Sequence, residues 1–218
     1  MKHLIIIGAR GYGREIYNAF MRNFSADGWT CKGFLDSDTA VLDRYKGYPP
    51  IIGAPENYKI QPDDYFFCAM GDVHWRKHYA ELMLARGAKF ISIIEKTAVV
   101  ERNTVLGEGC YIGRNAFLSC DIKVGDFVSF FQCAVIGHDV TIGNYCHFGS
   151  HTFAGGFSVL QDLVTIHPGA GIIPHRTLKE GSVLGAGSVA ARNVPQGTIV
   201  MGVPAQKLLI PSIKNKSI

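Results

Sequence analysis

From Ile94 to Leu184, every sixth residue of the chain is apolar. The series runs Ile94, Val100, Leu106, Ile112, Leu118, Val124, Phe130, Ile136, Ile142, Phe148, Ala154, Leu160, Ile166, Ile172, Leu178 and Leu184, without a slip in register. Four places further along each hexad, small or β-branched residues dominate, among them Ala98, Cys110, Ala116, Val128, Ala134, Val140, Cys146, Val164 and Ser188. Glycine often follows the apolar residue, as in LGEGCY, IGRNAF, IGHDVT and IGNYCH. A period of six fits neither the 3.6 of a helix nor the 2 of a strand. It fits a parallel β-helix, in which each hexad supplies one short strand and one corner. The apolar residue then points into a narrow prism, and only small residues fit beside it. Three hexads complete a turn, so residues 18 apart stack. Sixteen hexads predict about five turns, more than the three or so repeats that a solenoid core requires.

Residues 1–90 follow a different pattern. KHLIIIG reads as a short apolar strand, GARGYG as a glycine-rich turn and REIYNAFMRNF as a helix with Ile16, Ala19 and Phe20 on one face. Further strands are predicted at 31–36 and 65–72, and a second helix over HWRKHYAELMLARG, ending at Gly87. Strand, turn, helix, strand predicts a small parallel, Rossmann-like α/β domain. The predicted division is therefore 1–90 for this domain and 91–218 for the β-helix.

Bulk properties remove several function classes. The net charge of +4 on 218 residues is small and scattered, which argues against a nucleic-acid partner. The apolar run in MKHLIIIGA is too short for a signal-peptide core or a membrane span, so a cytoplasmic protein with no membrane partner is expected. The six cysteines form no CxxC pair and read as small buried side chains.

The solenoid closes with LGAGSVAARNVPQGTIVMGVPAQKL, and its MGVPAQKL segment is close to the G-x-P-A ending of the left-handed β-helix acyltransferases. Together with an α/β domain that opens IIIGARGYG, the whole chain resembles the NeuD/PglD-like sugar acetyltransferases. That resemblance implies a left-handed coil, a homotrimer with active sites between subunits, and acetyl-CoA as donor co-substrate.

Acetyl transfer to an amine or hydroxyl requires a proton to leave the nucleophile as it attacks. Histidine can take that proton near neutrality, and a neighbouring carboxylate can fix its tautomer. Alone, His138-Asp139 would be a polar turn. The resemblance makes His138 the general base and Asp139 its orienting acid, where relatives usually carry the longer Glu. His147, nine residues on, lies half a turn away, so a single subunit is expected not to bring the two histidines onto one face. The resemblance gives His147 a contact with the acceptor sugar or a part in proton transfer. His151, His167 and His175 are not spaced by multiples of 18, and no metal site is expected.

By the same resemblance, the Gly156 N–H meets the thioester carbonyl as an oxyanion contact. Pro168, Gly185, Ala186, Ala191 and Arg192 line the pantetheine arm and the nucleotide end of the coenzyme. Simple corner geometry accounts for most of these residues equally well. Pro168 departs from the family, because proline has no N–H to offer the coenzyme. Gly8, Gly11 and Gly13 form G-x-x-G-x-G rather than the dinucleotide fingerprint, although a glycine turn at a helix N-terminus favours phosphate. The resemblance assigns nucleotide-sugar binding to this domain, through Gly11, Tyr12, Asp36, Gly71 and Asp72. A tight turn and strand-end caps would explain the same residues.

The expected activity is transfer of acetyl from acetyl-CoA to the amino group of a nucleotide-linked amino sugar in bacterial surface-glycan biosynthesis. O-acetylation of sialic acid or another glycan sugar stands as the alternative. A third reading is a non-catalytic nucleotide-sugar-binding scaffold.

Overall fold

The computed structural model describes residues 2–24 and 28–208; the last ten residues of the predicted 91–218 domain lie outside them. The N-terminal sheet is parallel and four-stranded: β1 (Lys2–Ile7), β2 (Trp29–Leu35), β3 (Ile51–Gly53) and β4 (Asp64–Cys68), in the order β3-β2-β1-β4. The sequence pattern predicted three of these strands. The short β3, set between Pro50 and Pro55, gave no alternation to read. Two helices cover the sheet, α1 (Gly11–Phe24) and α2 (Val73–Leu84). β1 is buried on both faces, as a central parallel strand must be. Leu4 and Ile6 pack with Ile16, Ala19 and Phe20 of α1, while Ile5 and Ile7 pack with Val73, Ala80 and Met83 of α2.

From Ile93 the chain coils into a three-faced parallel β-helix of two-residue strands. Partners are 18 residues apart, for example Lys123↔Thr141, Ser129↔His147 and Val135↔Phe153. The faces hold five, six and seven parallel strands, and Gln206–Lys207 adds an antiparallel strand to the longest. The hexad residues from Ile112 to Leu184 fill the prism; Phe130, Ile136, Phe148 and Ile166 have no exposure. Each such side chain contributes roughly 1.5–3 kcal/mol by leaving water. Ile94 is the exception to the predicted inward set. It is 41% exposed, because the first coil has no neighbour beneath it.

The left-handed backbone position of each corner falls three residues after the inward residue. It recurs without a break at Asn103, Gly109, Asn115, Asp121, Phe127, Cys133, Asp139, Tyr145, His151, Phe157, Leu163, Gly169, His175, Gly181 and Gly187, with φ between 56° and 71°. The glycines that follow the inward residue serve close approach between coils instead. A Cβ at Gly143 would lie 2.7 Å from the backbone nitrogen of Asp162 in the next coil.

One edge of the prism docks the α/β domain. Phe127, Tyr145 and Leu163, stacked 18 apart, join the core beneath α2, with the Phe127 and Tyr145 rings stacked at 5.4 Å. A second tie is ionic: buried Glu95, in the first coil, accepts from Arg22 and from Asn23 Nδ2 at 3.0 Å, and Arg114 lies 3.7 Å away.

Candidate active site

His138 and Asp139 sit at a corner between the strands Val135–Ile136 and Thr141–Ile142, and both are exposed. Asp139 is the left-handed residue of this corner, with φ 58°. That turn swings its short side chain back, and Asp139 Oδ2 lies 2.8 Å from His138 Nδ1. The pair leaves Nε2 facing outward beside Gly156. A Cβ on Gly156 would come within 2.9 Å of His138 Cε1 and 3.0 Å of Nε2, so glycine leaves the space beside the ring's free edge open. Phe157 meets the His138 ring edge-on at 5.1 Å and stacks on His175 at 5.0 Å.

The Gly156 N–H is free. On another edge three equivalent N–H groups are capped by the side chain 18 residues on: Glu108 N donates to Asp126 Oδ1, Asp126 N to Asn144 Oδ1, and Asn144 N to Asp162 Oδ1. Above Gly156 stands Pro174, which has no side-chain acceptor. Among the described hydrogen bonds the Gly156 N–H donates to nothing, which leaves a donor close to the free edge of His138.

The remaining solenoid candidates line the edges where coils stack. Pro168, Ala186 and Arg192 are exposed, Ala191 is half-buried and Gly185 is buried. Pro168 still accepts from Gly187 N at 3.0 Å, and a Cβ on Gly149 would lie 2.7 Å from its nitrogen. The atoms nearest to a Cβ on Gly185 would be those of the Met201 side chain, from 2.8 Å.

In the α/β domain, Gly8, Arg10, Tyr12, Asp36, Ser37, Met70, Gly71, Trp75 and Tyr79 line a cavity of about 540 Å³ at the carboxyl ends of the strands, the usual ligand position in such sheets. Trp75 is 57% exposed there and stacks on Tyr79 at 6.0 Å. The three glycines of the turn differ in purpose. Gly13 lets α1 rest on the strand end, since a Cβ would lie 1.9 Å from the Gly8 carbonyl oxygen, whereas Gly11 has open space around it. Asp36 holds the turn by accepting from Ala9 N and Asp38 N, each at 3.0 Å. Asp72 is the N-cap of α2, accepting from His74 N and Trp75 N. The Tyr12 ring packs against Phe131, 5.0 Å away, and its hydroxyl is buried without a partner among the described residues; burial pushes its pKa up.

A second cavity, also about 540 Å³, lies between the domains. It is lined by Gly71, Asp72, Val73 and His74 on one side and by His147, Thr165, His167 and Val183 on the other. His147 belongs to a different face of the prism from His138, and no hydrogen bond joins the two. Its pKa is lowered to about 3 by burial, then by the charge of Arg76 and by His167. Arg76 and Ser129, which fix its surroundings, gave no signal in the sequence, and neither did Trp75. In the sequence Arg76 is one of several charges within HWRKHYAELMLARG. Among the described residues, no three His, Cys, Asp or Glu side chains converge to hold a metal ion.

Residues 3–83 match the PglD N-terminal domain family. A GDP-perosamine N-acetyltransferase of Escherichia coli O157:H7 is 30% identical over 93% of this chain and 95% of its own length. The chain belongs to the NeuD/PglD-like family of sugar acetyltransferases. Solved structures of this family share the fold end to end. A His-to-Asn variant of perosamine N-acetyltransferase from Caulobacter crescentus, in complex with CoA and GDP-perosamine, superposes with a TM-score of 0.85. It is 25% identical, over 96% of this chain and 98% of that one. The acetyltransferase domain of PglB from Neisseria gonorrhoeae, in complex with acetyl coenzyme A, shares the fold at TM-score 0.84 and 24% identity, covering 95% and 99%. Like its relatives, this member of the family is an acetyltransferase enzyme. No helix among its described residues is long and apolar enough to cross a membrane.

Proposed function

We propose that this enzyme transfers acetyl from acetyl-CoA to the amino group of a nucleotide-linked amino sugar, with His138 as general base. The observation that carries the reading is the 2.8 Å contact between Asp139 Oδ2 and His138 Nδ1. A carboxylate on Nδ1 keeps the proton there, so Nε2 is the basic nitrogen and faces solvent. His138 Nε2 takes the proton as the amine attacks the thioester carbonyl, and the free Gly156 N–H stabilises the oxyanion that forms. The coenzyme lies along the solenoid edge marked by Pro168, Gly185, Ala186, Ala191 and Arg192. The nucleotide occupies the α/β cavity, its base over Trp75 and its phosphates near the Gly11 turn. The Caulobacter relative, solved in complex with CoA and GDP-perosamine, supports the choice of these two ligand classes.

An apolar stripe supports a homotrimer with shared sites. Val99, Phe117, Val135 and Phe153 stack in register on one outer face and are 38–45% exposed. His138 follows that face directly, so a subunit covering the stripe would close over the base. A screen of UDP-, dTDP- and GDP-linked amino sugars with acetyl-CoA, followed by thiol release and product mass, tests the reading. One amino sugar gaining 42 mass units at nitrogen is expected. Release with hydroxyl acceptors alone would shift the reading to O-acetylation. Release with none would leave only a binding role.

A further inference from the structure

Arg76 projects from α2 into the solenoid and is 2% exposed. Its Nη1 donates to Ser129 Oγ at 2.6 Å, and its Nη2 donates to the carbonyls of Tyr145 and Cys146 at 3.1 and 3.4 Å. Ser129 Oγ in turn lies 2.8 Å from His147 Nδ1. A guanidinium has only donors, and a serine hydroxyl has one hydrogen to give. With Arg76 donating to Ser129, the hydroxyl proton of this fully buried serine is left for His147. Had His147 Nδ1 carried a hydrogen, the serine proton could turn only to the adjacent Tyr12 hydroxyl, whose own buried hydrogen would then have no acceptor. The Tyr12 hydroxyl is buried beside Ser129 and makes no well-aligned hydrogen bond of its own among the described residues.

We propose that Arg76, acting through Ser129, holds His147 in the Nε2–H tautomer, so that His147 offers the interdomain cavity a hydrogen-bond donor for an acceptor oxygen and not a base. Arg76 and Ser129 are positioning residues, and the hydroxyl or carbonyl oxygen of a sugar is the group the donor fits. Burial and the nearby Arg76 charge keep the ring neutral, consistent with a fixed tautomer. The described hydrogen bonds give Nε2 no protein partner. His167, His74 and Thr165 line the same cavity. The tautomer follows from this chain's hydrogen bonds alone; only the identity of the accepting oxygen rests on the function proposed above.

The test is side-chain nitrogen NMR on the full-length protein labelled with ¹⁵N-histidine, with the His147 resonances assigned by their loss in His147→Gln. The expected spectrum has an unprotonated Nδ1 and a protonated Nε2. Ser129→Ala should mix the two tautomers, and Ser129→Thr, which keeps the hydroxyl, should restore the single form. A protonated Nδ1 in the wild type, or no change in Ser129→Ala, overturns the proposal. These spectra need no substrate, so failure of the acetyltransferase reading would leave them unaffected. Kinetics give the second arm. His147→Gln, which keeps a donor, should stay within roughly tenfold of wild-type kcat/KM, while His147→Phe should lose on the order of 10- to 100-fold more. Equal losses would overturn the donor role.

Discussion

Two edges of the same prism share one backbone and do opposite work. On the edge under α2, the left-handed corner residues are Phe127, Tyr145 and Leu163, with φ of 56°, 60° and 62° and exposures of 1%, 9% and 7%. On another edge they are Asp121, Asp139, Phe157 and His175, with φ of 58–60°, and Phe157 is 48% exposed. Left-handed geometry costs a non-glycine residue about 1–2 kcal/mol. Burial against the α/β domain offsets that cost on the docking edge. On the other edge no burial of Asp139 offsets it, and the turn instead sets the carboxylate against His138. The hexad period dictates where each corner lies; the side chain placed there decides whether the corner packs or reacts.

Substitutions can separate the two edges. The largest expected effect is that of His138→Ala, a fall in acetyl transfer of roughly 10²–10⁴-fold with unfolding unchanged, read by thiol release and thermal melting. Phe127→Ala should do the reverse. It should cost about 3–5 kcal/mol of stability in denaturant titration and leave kcat per folded molecule close to wild type. Gly156→Ala places a methyl group against the His138 ring and should lower turnover by about 10- to 100-fold, with little change in melting. The smallest effect concerns acid. The His147 pKa falls from 6.5 to about 3 on folding, so the unfolded chain binds the extra proton first. Stability is therefore full above about 6.5 and erodes as pH falls toward 3. His147→Gln should flatten that part of the stability–pH curve, measured from denaturant midpoints between pH 7 and pH 4.

The solenoid was legible because a single inward register runs from Val100 to Leu184, and stacking makes any slip costly. The corner register was not. Left-handed positions are usually read from Gly or Asn, yet here Phe, Tyr, Leu, Cys, Asp and His hold most of them. The visible glycines mark close coil contacts instead. His138-Asp139 stood out because the hexad repeat needs neither residue. That Gly156 lies beside the His138 ring, 18 residues away in the next coil, appears only once stacking is known. Arg76 was hidden for a similar reason: its partners, Ser129 and the carbonyls of Tyr145 and Cys146, belong to the other domain. Asp36 and Asp72 were legible as acids near the nucleotide end of the sheet, but their hydrogen bonds to backbone N–H groups, which shape the turn and cap α2, depend on the folded geometry.

The claim that one edge reacts while its twin packs is tested most directly by steady-state thiol release from acetyl-CoA, with a nucleotide-linked amino sugar as acceptor, in His138→Ala and Phe127→Ala measured side by side. The expected result is a His138→Ala protein that melts like wild type and turns over roughly 10²–10⁴-fold more slowly, beside a Phe127→Ala protein that melts early and turns over normally while folded. Near-wild-type turnover in His138→Ala would contradict it.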